Sequence, residues 1–80
     1  MSWLCYLLRC ADDTFYCGIT NDLEKRLIAH NTGEGAKYTR GRLPVSVVYY
    51  ENCENKSAAL KREMQIKRLS RSAKQALLET

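Results

Sequence analysis

Several common classes of protein are excluded by what this sequence lacks. No stretch approaches the roughly 18 uninterrupted apolar residues of a membrane span, and the apolar run at residues 3–8 has neither a basic n-region nor a cleavage signal. A cytoplasmic protein is the resulting expectation, with no membrane partner. Histidine occurs once, and Cys5, Cys10, Cys17 and Cys53 form no C-x-x-C pair. Neither a zinc site nor a dithiol redox motif is therefore suggested. An even cysteine count also fits a secreted disulfide scaffold, but three of the four thiols lie in apolar, strand-like segments, which favours buried reduced side chains. No repeat, low-complexity tract or linker interrupts the chain, and its 80 residues leave no room for a second module. A single domain over residues 1–80 is expected.

What is present is the balance of a folded globular domain, 45% hydrophobic and 28% charged. The net charge of +4 is unevenly spread. Residues 1–34 carry three basic and five acidic groups, residues 35–80 ten basic and four acidic, giving −2 against +6. A positive half attracts polyanions and releases their counterions, so nucleic acid is the first partner to consider.

Residues 3–10 are rich in aromatic and branched side chains, residues 11–14 supply turn chemistry, and residues 15–19 resume the apolar run, which predicts a β-hairpin. Asn21 is placed to cap a helix running from Asp22 to about Asn31, with Glu24 as its capping-box partner. Gly33, Gly35 and Gly41 punctuate a loop, and residues 45–50 form a third strand after Pro44. Asn55 or Ser57 opens a second helix reaching about Leu69, and residues 70–78 form a third. The predicted fold is α+β, a small three-stranded, mostly antiparallel sheet flanked by helices in the order β-β-α-β-α-α.

Polar residues stand where helical periodicity calls for apolar ones. On the second helix Ala59, Leu60, Met64 and Ile66 define an apolar arc, and Glu63 falls inside it. A carboxylate facing a core needs a partner, whether a ligand or Lys67 four residues later. On the first helix Leu23 and Leu27 mark the buried face, while Arg26 and His30 point with them toward the sheet. An inward arginine suits phosphate or developing negative charge, and a histidine can relay a proton, although both also occur as satisfied structural groups. Tyr6 and Tyr16 lie on the two hairpin strands. A three-residue turn sets Tyr6 opposite Gly18 and Tyr16 opposite Leu8, with both hydroxyls on one side; a two-residue turn separates them. The loop at 35–42 carries Lys37, Tyr38, Arg40 and Arg42, a mixture suited to phosphate contacts and base stacking, without the spacing of a nucleotide-binding P-loop.

Together these residues resemble the GIY-YIG nuclease superfamily. Cys5-Tyr6-Leu7 stands where its first tripeptide falls and Tyr16-Cys17-Gly18 where its second falls, followed in order by Arg26, His30 and, on the next long helix, Glu63. The resemblance covers nearly the whole chain, and the loop at 35–42 is similar to that of the short, single-domain bacterial branch. It implies that Glu63 binds one divalent cation, Mg²⁺ or Mn²⁺, that Arg26 contacts the scissile phosphate, that Tyr6 and Tyr16 frame the attacking water, and that His30 relays its proton. Which tyrosine acts as base stays open, since an unperturbed phenol has a pKa near ~10. Lys37, Tyr38, Arg40, Arg42 and Lys67 are the implied nucleic-acid contacts. The first tripeptide retains only its tyrosine, the second has Cys17 at its centre, and Ile19 replaces a lysine found in some active members.

The activity implied is metal-dependent endonucleolytic cleavage, structure- or damage-directed as in DNA repair, with DNA ahead of RNA as substrate. The alternative is a nucleic-acid-binding module that keeps the fold without cleavage. A third class is a protein-interaction adaptor using Lys61, Arg62, Arg68, Arg71 and Lys74.

Overall fold

A computed structural model describes residues 2–79 of the chain. Strands β1 (Trp3–Arg9) and β2 (Phe15–Thr20) are followed by helix α1 (Leu23–Asn31), a helical turn α2 (Lys37–Arg40), strand β3 (Ser46–Cys53) and helices α3 (Lys56–Lys67) and α4 (Arg71–Leu77). The sheet is antiparallel throughout with strand order β2-β1-β3. This is the predicted α+β architecture, with one addition: the 35–42 loop contains the short helix α2. Among the described residues no helix is long and apolar enough to cross a membrane.

The central strand explains its own sequence. β1 has a neighbour on each edge and a helical layer on each face, so Cys5, Tyr6, Leu7 and Leu8 are all buried, and the segment reads as continuous apolar sequence rather than as an alternation. Cys5 and Leu7 pack with Cys17 and Ile66 on the face covered by α3. Tyr6 and Leu8 pack with Cys10, Val45, Leu23 and Leu27 on the face covered by α1. A fully buried leucine contributes about 1.5–3 kcal/mol by leaving water. A bulge between Leu7 and Leu8 lets β3 continue alongside β1, with Tyr49 opposite Leu7 and Val47 opposite Leu8.

The hairpin turn is the three-residue form. Cys10 N–H donates to Thr14 O at 2.8 Å and Asp13 N–H to Cys10 O at 2.9 Å, with Asp13 in the left-handed region at φ 69°. The Asp12 carboxylate accepts from the backbone N–H and the hydroxyl of Thr14 and holds the turn. This turn fixes the register that sets Tyr6 opposite Gly18 and Leu8 opposite Tyr16. Of the two alignments the sequence leaves open, the structure has the one that sets both tyrosines on the same side.

Two expectations are corrected. Helix α1 is capped by Asp22, whose carboxylate accepts from Lys25 N–H at 3.1 Å, and not by Asn21. The cause is Thr20, whose hydroxyl accepts from Asp22 N–H at 3.1 Å and so places Asp22 at the helix entrance. On α3, Ala59 and Ile66 are buried as expected, but Leu60 and Met64 are 42% and 56% exposed. The stripe facing the sheet runs through Ala59, Arg62, Glu63 and Ile66, with Ala59 and Ile66 fully buried and Arg62 paired with Glu51 of β3. Asn55 caps α3, its side chain accepting from Ala58 N–H at 2.8 Å, as one of the two predicted starts requires.

Candidate functional site

On the α1 face of the hairpin, Tyr6 and His30 are both buried, and Tyr6 Oη lies 3.0 Å from His30 Nε2. The second imidazole nitrogen, Nδ1, lies 3.0 Å from Thr39 Oγ1. Thr39 spends its own proton on the Ala36 carbonyl at 2.9 Å, so the hydroxyl accepts from His30 Nδ1–H. That assignment leaves Nε2 as an acceptor, and the Tyr6 hydroxyl donates to it. The result is a directed chain from Tyr6 through His30 and Thr39 to the backbone of α2.

Close packing holds this chain in place. A Cβ at Gly18 would fall 2.5 Å from Tyr6 Oη, so the phenol lies directly over the glycine of β2. A Cβ at Gly35 would fall 2.3 Å from His30 Nδ1 and 2.8 Å from His30 Cα, so the loop backbone lies against the imidazole. The Asn31 side chain brackets Val45, donating to its carbonyl at 3.1 Å and accepting from its N–H at 2.8 Å, which ties the end of α1 to the segment entering β3.

Around the chain sit the other aromatic and cationic groups. The Tyr16 ring meets His30 edge-on at 5.4 Å between centroids and stacks on Tyr38 at 5.9 Å. The Arg42 guanidinium lies 4.0 Å over the Tyr38 ring, donates to the Tyr38 carbonyl at 2.7 Å and pairs with Asp12 at 2.9 Å. Arg42 thus braces the α2 turn against the hairpin, while Lys37 and Arg40 are exposed. Arg26 stands one helical turn before His30 and is half-buried. Burial pushes the Tyr6 phenol up, with the Arg26 guanidinium pulling the other way. Burial also holds the His30 imidazole below its ordinary value of 6.5, and the positive charge of Arg26 adds to that effect.

This depression has a measurable consequence. The unfolded chain takes up the histidine proton more readily than the folded one, so stability is complete above about pH 6.5 and is lost as pH falls through the lower folded value. Thermal midpoints of the wild type are expected to decline from pH 6.5 toward 5, and those of His30→Gln to stay level over that window. A parallel decline in both proteins would assign the slope to other groups.

Glu63 comes from the opposite layer. Its side chain is 17% exposed and its carboxylate lies 3.6 Å from Lys67 Nζ, the ion pair that their spacing allows. Helix α3 packs on β2, and Lys67, the partner of Glu63, stands beside Cys17 at that edge. A pocket of about 350 Å³ opens at this edge, lined by Phe15, Tyr16, Cys17, Tyr38, Lys67 and Lys74. A second, of about 280 Å³, is lined by Arg26 with Thr20, Asn21, Asp22, Lys25 and Ala29. A hollow of about 750 Å³ between α1 and β3 touches none of Tyr6, Tyr16, Arg26, His30 and Glu63.

Tyr6, Tyr16, Tyr38, Arg26 and His30 therefore gather on the α1 side, and Glu63 and Lys67 approach the β2 edge from the α3 side. Among the described residues no three His, Cys, Asp or Glu side chains cluster to form a closed metal cage. A lone carboxylate oxygen still fits Mg²⁺, which keeps several waters and takes phosphate oxygens as further ligands. Sequence reasoning missed Thr39, the hydrogen-bond partner of His30 Nδ1, and Gly35, whose backbone packs on the imidazole, because both lie in a segment without periodicity.

Comparison with known proteins identifies the family. The model of the GIY-YIG catalytic domain matches residues 2–76. A UPF0213 protein of Natronomonas pharaonis is 53% identical over 73 residues, spanning 91% of this chain and 86% of the relative. A UPF0213 protein of Clostridium perfringens is 55% identical over 75 residues, spanning 94% and 81%. The solution structure of the protein EF2693 from E. faecalis shares 42% identity with a TM-score of 0.67, covering 99% of this chain and 84% of that one. That of a UPF0213 protein from Bacillus halodurans shares 39% identity with a TM-score of 0.62 and the same coverage. The chain belongs to the GIY-YIG family, a nuclease superfamily, within the group of short relatives that carry the UPF0213 name.

Proposed function

We propose that this chain is a metal-dependent endonuclease of the cytoplasm that hydrolyses phosphodiester bonds, its task the structure- or damage-directed cleavage of DNA, as in repair. The observation that carries this reading is the directed chain Tyr6–His30–Thr39 with Tyr16 and Arg26 beside it. A proton taken by Tyr6 Oη from an attacking water is matched by the transfer of the tyrosine's own proton to His30 Nε2. Burial and Arg26 keep the imidazole neutral, so its Nε2 lone pair is free to take that proton, although as a weaker base than in water. Tyr16, half-buried at the pocket mouth, frames the same water.

Arg26 offers a planar fork of donors to the phosphate and is the group on this face suited to the charge that develops on it. Glu63 would hold one Mg²⁺ or Mn²⁺ ion once Lys67 moves aside; when bound, that ion supplies positive charge at the phosphate. Lys67, freed from Glu63, joins Lys37 and Arg40 in contacting the backbone, and Tyr38, already flanked by the Tyr16 ring and the Arg42 guanidinium, meets nucleic acid at its exposed edge.

The test is cleavage of labelled single-stranded, duplex, flapped and branched DNA and of RNA, in Mg²⁺, Mn²⁺ or EDTA, by wild type and Glu63→Ala. Wild-type cleavage is expected to vanish in EDTA and in the variant. Undiminished metal-dependent cleavage by Glu63→Ala would remove Glu63 from the site.

A second reading, a nucleic-acid-binding module without cleavage, is favoured by one observation, the Glu63–Lys67 ion pair that already neutralises the carboxylate. It requires equal binding by both proteins and no cut product. That binding should weaken steeply with salt, by about 0.9 in log K per log unit of salt for each phosphate neutralised.

A further inference from the structure

Neither step of the proposed reaction uses a thiol, yet two thiols meet behind the site. Cys5 on β1 and Cys17 on β2 point to the α3 side of the sheet, their sulfurs 3.7 Å apart and both free. They are diagonal neighbours, since Cys5 pairs with Ile19 and Cys17 with Leu7. Their surroundings differ in one respect. Cys17 lines the 350 Å³ pocket with Lys67 and Lys74, whereas Cys5 is fully buried and does not line it. Cys17 is itself only 4% exposed, so the pocket wall is what gives a small molecule its approach to that sulfur, while Cys5 lines neither this pocket nor the other two.

We propose that Cys17 and Cys5 form a hydroperoxide-reactive pair, in which Cys17 is oxidised from the pocket and Cys5 then closes a cross-strand disulfide. The Cys17 thiolate attacks one peroxide oxygen, the O–O bond breaks, and hydroxide leaves. The sulfenic acid so formed is attacked by the Cys5 sulfur; the S–O bond breaks and the hydroxyl departs as water with the Cys5 proton. Two electrons, one from each sulfur, reduce the peroxide. The contact with the Cys5 thiol favours negative charge on the Cys17 sulfur, burial and Glu63 act against it, and the cations of Lys67 and Lys74 add a smaller favourable contribution. A reachable thiol with a resolving thiol in contact is the arrangement of redox-sensitive cysteines.

The bridge is coupled to the neighbouring residues by geometry. A disulfide brings sulfurs to about 2.05 Å, so the diagonal pair must draw β1 and β2 together. Cys17 lies between Tyr16 and Gly18, and Gly18 has no clearance from the Tyr6 ring. Closing the bridge therefore presses on Tyr6 and through it on His30.

The experiment treats the reduced full chain with limiting hydrogen peroxide, alkylates the remaining thiols and maps the peptides by mass. The expected product has lost two hydrogens and joins Cys5 to Cys17. Cys5→Ser is expected to accumulate a Cys17 sulfenic acid that dimedone captures, and Cys17→Ser to leave Cys5 reduced. The ring signals of the single histidine should shift on oxidation and return with dithiothreitol. A bridge from Cys5 to Cys53, or oxidation of Cys53 while Cys17 stays reduced, would overturn the proposal. The wild-type peptide map decides this even where a variant fails to fold, and it does so whether or not the protein cuts nucleic acid.

Discussion

Replacing Arg26 by alanine is expected to lower kcat for phosphodiester cleavage by about 10²–10³-fold, the usual loss when a preorganised donor to developing negative charge is removed. Arg26→Lys is expected to recover little of it, because a point charge does not reproduce the planar fork of a guanidinium. The substitution also has two signatures that do not depend on activity. Arg26 opposes a second positive charge on His30, so the imidazole pKa should rise toward its ordinary value in Arg26→Ala. Arg26 also favours the Tyr6 phenolate, so the phenol should become still harder to ionise. The chain contains one histidine, and its NMR titration is therefore unambiguous. Unchanged His30 and Tyr6 titrations with full activity would place Arg26 outside the site.

Gly35→Ala is expected to have the largest effect on stability, a loss of about 3 kcal/mol, at the upper end for overpacking in a closed environment. In a domain of this size that corresponds to a fall of more than about 10 °C in the thermal midpoint. The reason is that the added methyl meets the His30 ring at 2.3 Å and His30 backbone at 2.8 Å. A flexible side-chain end could move aside, but a helix backbone cannot do so without lifting the end of α1. Relief of the clash separates Nδ1 from Thr39 and frees the imidazole to turn, so cleavage should fall together with stability. Gly41→Ala is the control, since nothing lies within 4 Å of a Cβ there. Equal midpoints for the two variants would contradict this account.

The two predictions draw on different levels of information. Arg26 was visible in the sequence, because a charged residue on the apolar side of a short helix breaks a pattern that a single element sets by itself. Glu63 and His30 were visible for the same reason, whereas the alignment of Tyr6 with Tyr16 hung on a turn length that the sequence left open and the folded hairpin decided. Gly35 and Thr39 were not visible, because their role depends on how the 35–42 loop folds back on α1, and no periodicity of the loop carries that information. The exposure of Leu60 and Met64 was misjudged on similar grounds. Spacing along α3 identifies a set of residues sharing one side, but which part of that side faces the sheet follows from contacts with other elements, Ile66 with Cys5, Leu7 and Cys17 and Arg62 with Glu51.

The sequence by itself determined the element order and the identity of the polar groups directed inward, because each follows from local backbone preferences and from spacing within one element, while it left the hairpin register open between two turn lengths. It determined the family as well, since the order of the tyrosines, the arginine, the histidine and the carboxylate is a property of the chain. The tertiary structure alone decided that β1 lies between β2 and β3, that the imidazole is oriented by Thr39, that Glu63 approaches from the opposite layer, and that Cys5 touches Cys17. These are contacts between elements, and they are fixed only when the layers pack, since a distance between distant residues is a consequence of how the whole chain closes on its core.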